Sequence, residues 1–326
     1  MSFYTIDPAP PRLNRCELAV PGNRPEIFEK AARSDADVLF LDLEDSVPPD
    51  EKENARRNVI EALGDIDWNG KSVSVRVNGL DTHYAYRDIV DVLEQAGEHV
   101  DLIMLPKAGT ASDIYALDFL TTSVQSAKGR SNHIGFEIII ETALGMSNIH
   151  EIASASPRNE SLHFGVADYA ASTGARSTNI GGANPDYAIL SDGGDNKERV
   201  HHLGDMWHYA LARLVVAART NGLRPVDGPF GDITDTEGLS ATAKRVAMLG
   251  CEGKWAIHPS QIEAVNAAMT PSKSDIEQAK RILKALKDAE REGRGAVTLD
   301  GKLIDRVSIR QAETLLAKAE QLSKRK

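Results

Sequence analysis

The sequence predicts an α/β fold, a (β/α)8 TIM barrel followed by a C-terminal helix-hairpin-helix cap, and three observations carry that expectation. Short runs rich in Val, Ile and Leu recur along the chain, as strands buried on both faces of a parallel sheet require. Each run ends in a polar or glycine-bearing residue before a helical pattern begins. The end markers Glu44, Arg76, Pro106, Glu141, Asp168, Asp227 and His258 fall 27 to 35 residues apart, with one gap of 59, and one βα unit takes roughly 30 residues.

In order, the expected strands are Cys16 to Val20, Val38 to Leu43, Val73 to Val77, Leu102 to Leu105, Gly135 to Ile140, Leu162 to Val166, Leu223 to Val226 and Trp255 to Ile257. Helical patterns between them include Arg24 to Ala32, Lys52 to Ala62 and Trp207 to Thr220. The long gap holds the glycine-rich, weakly periodic stretch from Thr173 to Asp205, which reads as an inserted loop over one end of the barrel. A doubly wound sheet shares the alternation, but no GxGxxG follows the first strand. After Pro271 the pattern changes to a charged helix from Ser274 to Arg291, a hairpin from Val297 to Ile304 around Asp300-Gly301, and a helix from Val307 to Ser323. The expected domains are thus a barrel over 1–270 and a cap over 271–326. The cap is close to the lower size limit for an independent core and is expected to pack on the barrel or on another subunit.

Composition narrows the function classes. With 48 acidic and 38 basic residues the 326-residue chain has a formal charge of −10 and no segregated basic patch, which excludes a nucleic-acid binder. Apolar runs stay well short of the roughly 18 residues a membrane helix needs, and prolines stand where a signal peptide would carry its apolar core. Two cysteines without zinc-ligand spacing, Cys16 and Cys251, fit a reducing cytoplasm.

In a parallel barrel the residues ending different strands converge on one mouth. That gathers Glu44, Arg76, Glu141, Asp168, Asp227 and His258. Glu141 and Asp168, expected at the ends of adjacent strands, suit Mg²⁺, which takes oxygen ligands and keeps waters; they equally suit solvated strand ends or helix caps. Arg76, inside Val-Arg-Val-Asn, needs an anionic partner, either a protein carboxylate or a substrate oxygen. Alternation places Asp42 and Glu44 on one face, positioned to hold Arg76 or a metal-bound water. The turn Glu141-Thr142-Ala143-Leu144-Gly145 offers backbone N–H groups to a carboxylate. Arg24 and Lys30 at the first helix could meet a phosphate or simply form a solvated basic face. His258 reads as a hydrogen-bonded pocket residue, and His201-His202 as solvated.

Seven motifs occur in order: LDLEDSV (41–47), SVRVNGLDT (74–82), IMLPKAG (103–109), EIIIETALG (137–145), LHFGVADYAAS (162–172), LRPVDGPFGD (223–232) and GKWAIHPSQI (253–262). Together they resemble the citrate lyase β-subunit-like, or HpcH/HpaI aldolase, superfamily, and within it the malyl-CoA lyases. The resemblance implies Mg²⁺, with Mn²⁺ as a substitute, on Glu141 and Asp168. It implies a catalytic set of Arg76, Glu44, Asp45 and Asp305, and substrate contacts from Arg76, Glu141, Ala143, Leu144, Gly145 and Asp168. For the CoA moiety it implies Arg24, Lys30, Ile257, His258 and Pro259. It further implies trimers or hexamers in which Asp305 enters a neighbouring subunit's site. The expected reaction is reversible cleavage of L-malyl-CoA to acetyl-CoA and glyoxylate, and of β-methylmalyl-CoA to propionyl-CoA and glyoxylate. Two rivals stay open: a malyl-CoA or citramalyl-CoA thioesterase or lyase on the same scaffold, and a non-catalytic CoA-binding subunit.

Overall fold

The computed structural model describes residues 6–177, 179–193, 199–291 and 293–323. The chain forms two compact units that divide after Asn266. In the first, eight parallel strands close into a barrel: β1 (Cys16–Pro21), β2 (Val38–Asp42), β3 (Ser72–Arg76), β4 (Leu102–Leu105), β5 (Gly135–Ile140), β6 (Asn159–Phe164), β9 (Arg224–Asp227) and β10 (Gly253–Ala256). Each pairs with its neighbours in that order, and β10 returns to β1. Gly253 permits the closure: a Cβ there would come within 1.8 Å of the Asn14 carbonyl oxygen.

The sixth strand and the inserted stretch depart from the sequence expectation. The sixth strand begins and ends earlier than its apolar residues suggest, at Asn159 and Phe164, so Gly165 starts the turn into α7 (Val166–Thr173). Asp168 therefore sits in the first turn of a helix rather than at a strand end. The signal was lost because Asn159, Glu160 and Ser161 are polar yet fully enclosed. The inserted stretch is not a bare loop either: β7 (Ala188–Leu190) and β8 (His201–Leu203) pair antiparallel within it, and His201 and His202 are exposed. Residues 178 and 194–198 of that stretch lie outside the described residues.

Period-2 alternation stacks the barrel interior in layers. The middle layer is apolar: Phe40, Met104, Ile139, Val226 and Trp255, with Ala19 against them. Toward the starts of the strands the interior is polar: Glu17 and Glu137 lie two residues before Ala19 and Ile139, Ser161 pairs in register with Glu137, and Ser74 and His163 are buried as well. Toward the strand ends it is charged: Asp42, two residues after Phe40, pairs in register with Arg76.

The N-terminal segment closes the end of the barrel where the strands begin. Arg12 Nε donates to Glu160 Oε2 at 2.8 Å, Arg224 Nη2 donates to the same oxygen at 2.7 Å, and Arg224 Nη1 donates to the Pro10 carbonyl. His133 also meets Glu160 Oε1 at 3.0 Å.

In the second unit, α11 (Lys273–Arg291) and α12 (Arg306–Ser323) flank the hairpin of β11 (Val297–Leu299) and β12 (Lys302–Ile304). Asp300 and Gly301 both have positive φ, as a two-residue hairpin turn demands. No helix among the described residues is long and apolar enough to cross a membrane.

Glu160 makes a stability prediction. Glu160→Ala leaves two enclosed guanidiniums without their carboxylate, and breaking such a pair costs about 3–5 kcal/mol. Urea melts should show that loss, whereas Glu29→Ala, whose Arg33 partner is exposed, should change stability little.

Candidate active site

The charged layer is built around Arg76, the last residue of β3. Its Nε and Nη2 donate to the two oxygens of Asp42 on the neighbouring strand, each at 2.7 Å. Nη1 lies 3.0 Å from Glu44 Oε2 and 3.7 Å from Asp45 Oδ2. Asp42 is held down in turn: it accepts from the Glu44 N–H at 2.8 Å and from Ser46. Burial alone would raise the Asp42 carboxyl, but the Arg76 charge and these hydrogen bonds hold it below the usual carboxylate range. Burial opposes the Arg76 charge too, and the Asp42 pair outweighs it.

Thus Arg76 has a protein carboxylate on one edge, while its remaining Nη1 edge faces Glu44 and Asp45. Phe40 and Trp255 lie against the guanidinium, each ring centroid 5.7 Å from Cζ. Lys52, buried in α2 (Lys52–Asp65), donates to the Leu43 and Glu44 carbonyls at 2.8 and 2.7 Å and so fixes the turn that carries both acids.

Lys107, not singled out in the sequence, enters the same cluster. Its backbone sits in the left-handed region, at φ 55°, a conformation that costs a non-glycine residue on the order of 1 kcal/mol or more. There its Nζ meets Glu44 Oε1, comes within 3.5 Å of Asp45 Oδ1 and reaches 4.0 Å from Asp168 Oδ1. Its N–H donates to Glu141 Oε1 at 2.7 Å. The sequence signal that could have found it is a lone Lys directly after Pro106 at a strand end.

Glu141 follows β5 and is buried. Its side chain lies over Gly165, where any Cβ would come within 2.2 Å of Oε2. Burial, then Glu44 and Asp168, push its carboxyl up to about 8, against the pull of Arg76 and the Lys107 N–H. Glu141 and Asp168 are therefore close oxygen donors that repel each other as anions, the donor set a small hard dication takes. The residues present fit Mg²⁺.

The structure places the other residues singled out in the sequence as follows. Two of the three N–H groups offered to a substrate carboxylate are engaged within the chain: Ala143 N donates to Ser172 Oγ and Gly145 N to Thr142 Oγ1, both at 2.9 Å. Leu144 is exposed. The expected helix at Arg24 is a 3₁₀ turn, Pro25–Ile27, followed by the five residues of α1 (Phe28–Ala32). Arg24 pairs with Glu26, and Lys30 is exposed. Neither joins the acidic cluster. Asp227 is taken by Lys254, whose Nζ donates to it at 2.5 Å inside the barrel wall. His258 caps the 3₁₀ turn Pro259–Gln261 through Ser260, and Ile257 is partly exposed beside it. Asp305 follows β12 and caps α12, accepting from Val307 N at 2.9 Å and Ser308 N at 3.3 Å. Both cysteines are buried, and burial pushes their thiols up, so neither is a nucleophile.

Sequence reasoning also missed the polar layer beneath the apolar one. Trp255 Nε1–H donates to His163 Nδ1 at 2.8 Å. Because Nδ1 accepts, Nε2 carries the imidazole proton and donates to Ser161 Oγ at 2.8 Å. Glu17 Oε2 and Glu137 Oε1 lie 3.7 and 3.6 Å from the ring nitrogens. Burial and the neighbouring Glu137 raise the Glu17 carboxyl well above its usual range.

This barrel with its acidic mouth defines a class of protein. Residues 15–259 match the model of the HpcH/HpaI aldolase/citrate lyase family, and the chain belongs to that family. It is 52% identical over 320 residues to the L-malyl-CoA/beta-methylmalyl-CoA lyase of Rhodobacter capsulatus, covering 98% of this chain and 99% of the relative. It is 35% identical over 309 residues to a (3S)-malyl-CoA thioesterase of Cereibacter sphaeroides, covering 95% of each. Among solved structures, the CitE protein of Mycobacterium tuberculosis in complex with magnesium, acetoacetate and coenzyme A matches with a TM-score of 0.71 and 29% identity, over 94% of this chain and 97% of that one.

The Glu141 carboxyl sets a pH prediction. Its folded value of about 8 lies above the ordinary 4.5, so between those values the folded state binds more protons and stability falls as pH rises. Without divalent cations, Glu141→Gln should raise the melting temperature relative to wild type near pH 9 and lose that advantage near pH 4. Thermal melts in chelator across this range provide the check.

Proposed function

We propose that this protein is a carbon–carbon lyase that cleaves L-malyl-CoA reversibly to acetyl-CoA and glyoxylate, and β-methylmalyl-CoA to propionyl-CoA and glyoxylate. The observation that carries the reading is the buried Glu141 beside Asp168 and Arg76, in a chain 52% identical from end to end to a lyase of that name. The complex of the CitE relative with magnesium supports Mg²⁺ as the cation, held by Glu141 and Asp168.

Cleavage removes the hydroxyl proton and breaks the bond between the carbinol carbon and the methylene beside the thioester. The electron pair passes to the acetyl-CoA enolate, and a proton then returns to its carbon. Bound at Glu141 and Asp168, Mg²⁺ supplies a Lewis acid that lowers the hydroxyl pKa and orients the glyoxylate half.

The chain's own residues do the rest. Arg76 directs its Nη1 edge at the thioester oxygen, where negative charge develops, and Asp42 keeps that fork oriented. Lys107 and Lys52 hold Glu44 and Asp45 at the rim, where they fix the position of Arg76 and of the bound substrate. Asp305, on a neighbouring subunit's cap, carries the proton to and from the acetyl carbon. Arg24, Lys30 and the Ile257-His258-Pro259 segment bind the CoA moiety. The assembly is a homotrimer or a hexamer, in the cytoplasm.

Mass-spectrometric product analysis with malyl-CoA, β-methylmalyl-CoA and citramalyl-CoA, with and without EDTA, tests the reaction. Glyoxylate and acetyl-CoA should appear from malyl-CoA, stop on chelation and return with Mg²⁺. Free malate without glyoxylate would identify thioester hydrolysis, the activity named for the Cereibacter relative. Full turnover in excess EDTA would remove the metal from the mechanism.

The position of Asp305 has its own test. Asp305→Asn and Glu141→Ala subunits, each inactive alone, should regain activity when mixed after reversible dissociation, because some sites then combine both wild-type groups. Mixed oligomers without activity would exclude the contribution in trans.

A further inference from the structure

A polar layer beneath an apolar one is an expensive feature in a barrel core, and nothing in the reaction touches it. One connection upward runs through a tryptophan. Trp255 spans the apolar layer, with its indole N–H bonded to His163 Nδ1 below and its ring face 5.7 Å from the Arg76 guanidinium above. His163 is itself fixed by Ser161 at 2.8 Å and flanked by Glu17 and Glu137. All six of these side chains are at least nine-tenths buried.

The same cluster offers two carboxylates and an imidazole, the makings of an internal metal site. The hydrogen bonds argue against that use. With Nδ1 accepting from the indole and Nε2 protonated toward Ser161, the neutral imidazole has no lone pair left for a metal. The layer is instead an anchor.

We propose that His163 and Trp255 are positioning residues for Arg76: the His163 acceptor fixes the tilt and height of the indole, and the indole, with Phe40, sets the plane in which Arg76 presents Nη1 to the substrate. The physical basis is that the carboxylates hold the guanidinium by its edges, Asp42 through Nε and Nη2 and Glu44 and Asp45 at Nη1. Edge contacts fix direction within the plane, whereas the tilt of that plane is limited by the rings of Phe40 and Trp255 beside it. The guanidinium lies within the roughly 6 Å at which an aromatic face attracts a cation, so the indole contributes attraction as well as bulk. Freed from His163, the indole can change rotamer inside the apolar layer, and Arg76 loses the surface it lies on.

The inference rests on the proposed role of Arg76 at the thioester oxygen, and a double-mutant cycle separates the two ideas. Trp255→Phe keeps an aromatic face but deletes the N–H, and it should lower kcat about tenfold or more, since displacements of an ångström are known to cost that much. KM for malyl-CoA should change less than about twofold, because the interaction lost belongs to the transition state. Arg76→Lys should lower kcat about a hundredfold. In the Arg76→Lys background, Trp255→Phe should cost little further, since the indole then has no guanidinium fork to position.

A second pair approaches the anchor from below. His163→Leu, which cannot accept from the indole, should reproduce the kcat loss of Trp255→Phe. His163→Asn, which places an acceptor near the Nδ1 position, should restore most of it. If Trp255→Phe and His163→Leu both keep wild-type kcat, or if the Trp255 and Arg76 effects simply multiply, the positioning role is overturned while that of Arg76 stands. An Arg76→Lys enzyme with wild-type kcat would overturn the role of Arg76 and the positioning role together.

Discussion

The burial of the Arg76 guanidinium is the constraint from which the mouth of the barrel follows. A guanidinium taken out of water needs an ionised partner held by further hydrogen bonds, and Asp42 is that partner, itself tied to the Glu44 N–H and Ser46. Securing one cation in this way gathers five carboxylates, Asp42, Glu44, Asp45, Glu141 and Asp168, around two cations, Arg76 and Lys107. The surplus of negative charge falls on Glu141, the most enclosed member of the group without a cationic partner of its own. Burial and the neighbouring Glu44 and Asp168 accordingly push its carboxyl up to about 8, and a bound dication would relieve the same surplus.

Lys107 shows how tightly the arrangement is specified. A lysine with ordinary backbone geometry after Pro106 would leave the strand along its own direction. The left-handed conformation turns it so that the N–H serves Glu141 while the ammonium serves Glu44. One residue thus links Glu141 to the Glu44 and Arg76 cluster. The strain is sustained because both ends of the residue are bonded.

Much of this was legible in the sequence because burial and alternation are local. Seven of the eight barrel strands lie within a residue or two of their apolar runs, and the convergence of Glu44, Arg76 and Glu141 follows from their places at or just past strand ends. Alternation along Leu41-Asp42-Leu43-Glu44 correctly put Asp42 and Glu44 on the side of Arg76. The sixth strand was misplaced because its first three residues are polar and its burial depends on partners far along the chain, Arg12 and Arg224 among them. For the same reason the Glu17, Glu137 and His163 layer passed unnoticed. A polar residue inside an apolar run looks like an interruption until a partner 92 positions away, as Trp255 is from His163, is brought beside it.

The sequence by itself determined the barrel, the helix-hairpin-helix that follows it and the convergence of Glu44, Arg76 and Glu141, because period-2 and period-3.6 burial patterns are written in consecutive residues. The motifs determined the family as well. Only the tertiary structure decided which charges neutralise one another: Asp227 is taken by Lys254, Arg24 by Glu26, and Arg76 by Asp42, leaving Glu141 with no cation of its own. Pairing of that kind depends on distance in space and on exclusion of water, and neither is a property of neighbours along the chain.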